Sequence, residues 1–111
     1  GLSQTGDGFL SEQAAGEALS LLNGWRCLTL GPGLGTHPET MKFVTRAVAE
    51  SPVPVVADAD ALNALALNPK ALKKAASPVI LTPHPGEMAR LTGRLPSEIQ
   101  ADRIGSARAF A

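Results

Sequence analysis

The residues best suited to chemistry sit in three turns, and the last of them, Thr82-Pro83-His84-Pro85-Gly86-Glu87, carries the most. It follows the apolar run Pro78 to Leu81 and is stiffened by prolines. Pro85 suits the first position of a helix, which puts His84 at or beside the N-cap and Glu87 in the first turn. The positive end of a helix disfavours imidazolium, so His84 is expected to be neutral, a hydrogen-bond donor or acceptor. Glu87 has a plainer reading as a dipole-stabilising carboxylate, worth about 0.3–1 kcal/mol. In α/β proteins ligands are held at the carboxyl ends of strands, and helix N-termini receive anionic groups. The turn is therefore expected to form part of a small-molecule site. A zinc site is not expected, because His37 is distant in sequence and no Cys/His pair has ligand spacing.

The second turn, Asp58-Ala59-Asp60-Ala61-Leu62-Asn63, sets two carboxylates directly after the apolar stretch Val53 to Ala57. They suit Mg²⁺, its waters or a ribose hydroxyl. Either also suits the N-cap of the next helix, worth roughly 0.5–2 kcal/mol. One is expected to cap, leaving the other for a ligand or a metal-bound water. Asn63 falls one turn into that helix and can point back toward the same mouth. The first turn, Gly31-Pro32-Gly33-Leu34-Gly35, has glycines at alternate positions, which lets a ligand lie against bare backbone. Its spacing is not the dinucleotide fingerprint, whose second and third glycines stand three apart. A tight strand-to-helix bend and a ligand-bearing loop are both open readings of it.

The elements that must position these turns alternate. Residues 1–9 read as a loop or edge segment. Ser11 is the expected N-cap of a helix over Glu12 to Leu22, stopped by Asn23-Gly24. Arg26 to Leu30 reads as a strand. Pro38 opens a helix to about Glu50, with Met41, Val44, Ala47 and Val48 on one face. Val53 to Ala57 is β-branched without alternation, as in a strand buried on both faces. A helix from Asp58 to about Leu67, a short one over Lys70 to Ala76, a strand over Val79 to Leu81, a helix from Pro85 to Leu91 and a last helix from Pro96 onward complete the order. This alternation predicts βαβ units with a parallel sheet and right-handed crossovers.

Composition narrows the class. The chain has 111 residues, 44% hydrophobic and 18% charged, with ten basic and ten acidic side chains. That balance argues against a nucleic-acid surface or a disordered tail, and 4% aromatics against a stacking platform for single strands. No stretch has membrane-spanning length or the apolar core of a signal peptide. Cys27 lies in an apolar run and reads as a buried small hydrophobe, which fits a cytoplasmic setting. The last residues continue an apolar helical pattern, in which Phe110 is expected to find nothing to pack on. With only three good strands, the expectation is an internal part of a larger domain, spanning 1–111.

In order and spacing, the three turns resemble the ADP/ATP-dependent NAD(P)H-hydrate dehydratase family of the ribokinase-like superfamily. The residues that carry the resemblance are Leu30-Gly31-Pro32-Gly33-Leu34-Gly35, Val56-Ala57-Asp58-Ala59-Asp60-Ala61-Leu62-Asn63 and Leu81-Thr82-Pro83-His84-Pro85-Gly86-Glu87. Leu91-Thr92-Gly93 and Asp102-Arg103 continue it, so that it covers most of the chain from about Leu30.

The resemblance implies a three-layer α/β/α domain with a mainly parallel sheet, present here in part with about three strands. It implies nucleotide-dependent dehydration of the S epimer of hydrated NADH or NADPH, a repair of damaged cofactor, with ADP or ATP as phosphoryl donor and Mg²⁺ as cofactor. By the same resemblance Gly35 contacts the hydrated substrate through its backbone and His84 through its side chain. Glu87 corresponds to the acidic member of the superfamily's Asn-x-x-Glu element, tied to Mg²⁺ through water, with His84 in the asparagine place. Asp58, Asp60 and Asn63 support that network. A homo-oligomeric parent is implied, acting on hydrated NAD(P)H and on neither nucleic acid nor membrane. The family's Gly-x-Gly-Asp, whose aspartate is the catalytic base, is expected beyond Ala111, so no catalytic residue is assigned within the chain. Another ribokinase-like vitamin-precursor kinase, a non-catalytic binding module and a purely structural α/β piece are the alternatives.

Overall fold

A computed structural model describes all residues from Gly1 to Ala111. Its core is a three-stranded parallel sheet of β1 (Leu28–Leu30), β2 (Val55–Ala57) and β3 (Val79–Leu81), in that spatial order. The register aligns Leu30 with Ala57 and Ala57 with Leu81, so the three strands end side by side. The parallel βαβ order expected from the sequence is the one observed.

Helix α1 (Gln13–Ser20) precedes β1, and α2 (Pro38–Glu50) connects β1 to β2. Helices α3 (Asp60–Leu67) and α4 (Lys70–Lys73) connect β2 to β3. After β3 come α5 (Pro85–Thr92), α6 (Pro96–Ala101) and α7 (Arg103–Phe110). Helix α2 buries Thr40, Phe43, Val44, Ala47 and Val48, a stripe at helical spacing. Met41, expected on that stripe, is only half-buried. Helix α3 buries Ala61, Leu62, Ala64 and Leu65. Both helices pack on β1 and β2, where Val55 and Leu65 have no exposed surface. Each such side chain contributes about 1.5–3 kcal/mol on burial.

Side chains alternate across the sheet, and the alternation shows which face is covered. Leu30, Val55 and Ala57 are buried, whereas Thr29 and Ile80, which with Val56 form the other row, are exposed. The chain thus supplies the sheet and one helical layer of the expected three. Its thinnest extent is 20 Å, room for a sheet and one row of helices about 10–12 Å across. No helix is long and apolar enough to cross a membrane.

Several local expectations are corrected. Ser11 does not cap α1: its hydroxyl donates to the Ser3 carbonyl, and the N-cap is Glu12 without a side-chain bond. Strands β1 and β2 each begin two residues later than expected, at Leu28 and Val55, and Cys27 is exposed. The last helix is two helices, because Asp102 leaves helical geometry and its carboxylate caps α7 by accepting the Gly105 amide at 2.8 Å. The break turns α7 back, so that Phe110 packs against the small cluster of Met88, Ala89 and Ile99 rather than lacking partners.

Candidate functional site at the carboxyl ends of the strands

The shared register brings the three turns out at one edge of the sheet. Neighbouring strands lie about 4.8 Å apart, so the ends of β1 and β3 are separated by roughly 10 Å. At the first turn, the Leu30 carbonyl accepts the Asp58 amide at 3.1 Å, continuing the ladder past the strand end. Gly31 follows with φ 141°, and a Cβ there would stand 1.8 Å from the Asp58 carbonyl oxygen. The position admits no side chain. At this point the second and first turns are therefore held together backbone to backbone.

Asp60 adds a side-chain lock. Its Oδ2 accepts the Gly35 amide at 2.8 Å, across 25 residues of sequence. Neither aspartate caps α3, contrary to expectation: the N-cap position is Ala59, with no side-chain bond. Asp60 is engaged by the glycine turn, and the half-buried Asp58 carboxylate has no protein hydrogen bond. Ala59, between them, has φ 48° and ψ −119° and is the one non-glycine residue with positive φ. Such a backbone costs on the order of 1–3 kcal/mol and persists where its surroundings over-determine it. Here the Gly31 contact and the Asp60 bond do so from either side. Asn63 faces the third turn's helix, where its Oδ1 accepts Arg90 Nη1 at 3.2 Å.

At the third turn, His84 is the N-cap of α5 as expected, and its capping is reciprocal. Nδ1 accepts the amides of Gly86 at 3.0 Å and Glu87 at 3.3 Å. Glu87 Oε2 accepts the His84 amide at 2.8 Å, which completes a capping box. With Nδ1 taken by amide donors, the hydrogen-bond network assigns the proton to Nε2. That atom lies 3.2 Å from Glu87 Oε1. The glutamate side chain is 9% exposed and the imidazole 62% exposed, so the pair presents a ring to solvent on a buried carboxylate.

These residues do not form a ready-made cation cage: no three His, Cys, Asp or Glu side chains stand close enough to share an ion. An apolar cleft of about 540 Å³ lies on the flank of β3, lined by Leu72, Val79, Leu81, Pro83, Met88 and Phe110 among others. It touches neither Gly35 nor His84, so the polar mouth and this apolar cleft are different places.

One cluster escaped the sequence reading. The Phe9 ring stacks on His37, with centroids 4.9 Å apart and planes 12° from parallel. His37 caps α2 by accepting the Glu39 amide on Nδ1 at 3.2 Å, and its Nε2 lies 3.7 Å from Asp7 Oδ2. The signal available for His37 was its Pro38, the same pairing as His84-Pro85. Nothing local marked Phe9.

Comparison with known proteins decides the family. A family model described as NAD(P)H-hydrate dehydratase matches residues 4–111. The chain belongs to the NAD(P)H-hydrate dehydratase family. It is similar to the bifunctional NAD(P)H-hydrate repair enzyme Nnr of Moorella thermoacetica, at 44% identity over 110 residues, 99% of this chain and 21% of that protein. The enzyme of the same name from Thermofilum pendens is 33% identical over 106 residues, 96% of this chain and 20% of its own length. That from Escherichia coli is 42% identical over 81 residues, 73% of this chain and 15% of its own length. This dehydratase-family chain thus spans about a fifth or less of the relatives it matches.

Proposed function

We propose that the protein carrying this chain performs the nucleotide-dependent dehydration of the S epimer of hydrated NADH or NADPH, and that residues 1–111 are an internal part of its dehydratase domain. The observation that carries the reading is the family match over residues 4–111, joined to the exit of all three turns at one sheet edge. In this reading the chain supplies part of the substrate-side wall.

A ring hydroxyl is a poor leaving group, and phosphoryl transfer from ADP or ATP converts it into a phosphate ester, a good one. Loss of phosphate and of a proton from the neighbouring carbon then restores the ring double bond. Such chemistry depends on positioning and charge neutralisation. Gly35 has its amide held by Asp60, which leaves its carbonyl and Cα face to the substrate. His84 presents a largely exposed ring to the mouth, its Nε2 3.2 Å from Glu87 Oε1. Asp58, Asp60 and Asn63 hold the mouth in shape.

Mg²⁺ keeps several waters and takes few protein carboxylates. The chain's donor set suits it only in that way, as an ion brought with the nucleotide whose water reaches the lone pairs that Glu87 does not use toward His84. When bound, Mg²⁺ would neutralise charge on the transferring phosphoryl group. Cytoplasmic location, a homo-oligomeric assembly and the absence of a membrane partner belong to the same reading, as does the absence of a nucleic-acid partner, which the balance of ten basic and ten acidic residues favours.

The test supplies full-length protein with hydrated NADPH and either ADP or ATP, and follows recovery of reduced-nicotinamide absorbance. Turnover by the full-length protein, and none by residues 1–111 alone, is expected. A full-length protein without turnover, or an active 111-residue segment, overturns the reading.

A further inference from the structure

The segment 4–10 lies outside the three turns, yet it folds back onto the first of them. An antiparallel bridge between Gln4 and Leu10 closes it. Inside, the Thr5 amide donates to the Phe9 carbonyl at 2.7 Å, and the Phe9 amide donates to the Thr5 hydroxyl at 3.0 Å. The same hydroxyl donates to Asp7 Oδ1 at 2.6 Å. The fully buried Thr40 donates to the Leu10 carbonyl at 3.0 Å, which fastens the loop to α2. The backbone on both sides of Phe9 is therefore fixed by polar bonds rather than by burial of its ring.

That ring is braced as well. One face lies against His37, which Pro38 and the capping bond to Glu39 hold in place and which faces Asp7. The ring also borders Gly35: a Cβ there would stand 3.5 Å from Phe9 Cε1 and 3.8 Å from Cδ1. Phe9 therefore lies in van der Waals contact with the side of Gly35 where any other residue would carry its Cβ. It remains 39% exposed. Two features coincide at Gly35, an amide held by Asp60 and a flat apolar surface beside its Cα.

We infer that Phe9 is a binding residue for the dinucleotide, its ring forming the wall against which a flat heterocycle of the hydrated cofactor lies as it passes Gly35. An aromatic ring held at a fixed tilt offers dispersion and stacking at little ordering cost. An aliphatic side chain of similar volume would fill the space without the plane. The inference rests on the dehydratase reading for the identity of its ligand.

The experiment compares wild-type full-length protein with Phe9→Ala, Phe9→Leu and Phe9→Tyr. It measures Kd for hydrated NADPH by calorimetry beside KM and kcat in the dehydration assay. Phe9→Ala is expected to raise Kd and KM for the hydrate by about tenfold, with kcat and the KM of the nucleotide donor unchanged. Phe9→Tyr should restore affinity and Phe9→Leu should not. Unchanged affinity in Phe9→Ala, or full affinity in Phe9→Leu, overturns the inference, the second assigning Phe9 to packing alone. Wild-type protein that binds the hydrate without turnover rejects the dehydratase reading while the affinity ratios still judge Phe9. Wild-type protein that neither binds nor turns over rejects both.

Discussion

Helices α2 and α5 both begin at a histidine followed by proline, and in both the imidazole Nδ1 accepts first-turn amides while Nε2 faces a carboxylate. The capping chemistry is the same, but the surroundings are opposite. His37 has Phe9 against its face and is paired at 3.7 Å with an exposed aspartate from a distant loop. His84 is paired at 3.2 Å with the buried Glu87 of its own turn, and its ring stays largely in solvent. A capping histidine is thus not marked as structural or functional by the cap. It is marked by what covers the ring and by where its carboxylate comes from. The His84 turn is self-contained and leaves its ring surface in solvent, whereas the glycine turn before His37 is held by neighbours and offers backbone.

That contrast breaks first at Gly31. Because a Cβ there meets the Asp58 carbonyl at 1.8 Å and φ is 141°, Gly31→Ala must push the first two turns apart. A loss on the order of 3 kcal/mol or more is expected, read as a lowered urea midpoint of the full-length protein. No alanine in the His84 turn should reach that size. The nearest is Glu87→Ala, which removes the acceptor of the His84 amide and the partner of Nε2. It should destabilise by about 1–3 kcal/mol and abolish most turnover. If Glu87→Ala proved as stable as wild type, the self-contained description of the third turn would be wrong.

The comparison also shows what the sequence carried. The bounds of α2 and β3 match the residues named from pattern, because proline placement and a sustained apolar stripe are local properties. His84 as N-cap was legible for the same reason. The roles of Asp58 and Asp60 were not: the capping expectation failed because Asp60 is taken by an amide 25 residues away. The Phe9–His37 stack was equally hidden, since a lone aromatic in a glycine-rich loop has no periodicity to betray its partner. Asp102 divided the last helix through a cap that competes with helix propensity at a single residue. Local chemistry could be read directly, and couplings between turns required the fold.

Replacing each histidine by asparagine, a good N-cap, separates capping from everything else the rings do. Both variants should keep wild-type stability to within about 0.5 kcal/mol. On the proposed dehydratase reading, His84→Asn should raise KM for hydrated NADPH by about tenfold, through loss of the ring's contact with the substrate. His37→Asn should raise it by about threefold at most, through a loosened Phe9. The decisive measurement is the double-mutant cycle. The effect of His37→Asn should vanish in a Phe9→Ala background, and that of His84→Asn should persist there. A His37→Asn effect that survived removal of Phe9 would erase the distinction between the two rings.

The smallest expected effect concerns the brace on His37. The Thr5 hydroxyl, then the Asp7 amide, and to a lesser degree the neighbouring His37 hold the Asp7 carboxyl below its ordinary value of 3.8. A carboxyl whose folded value is depressed leaves the native state with fewer bound protons than the unfolded chain. Its contribution to stability is therefore complete above the ordinary value and is lost as pH falls through the lowered one. Asp7→Asn removes that contribution without changing side-chain size. At neutral pH wild type should melt slightly above Asp7→Asn, and the gap should close in acid below 3.8. Because Asp7 is exposed, solvent screening keeps the gap small, and a melting curve taken in high salt should shrink it further. A gap that widened in acid would show that the Asp7 carboxylate strains the Phe9 loop rather than bracing it. The His37 ring would then owe its position to the stack alone.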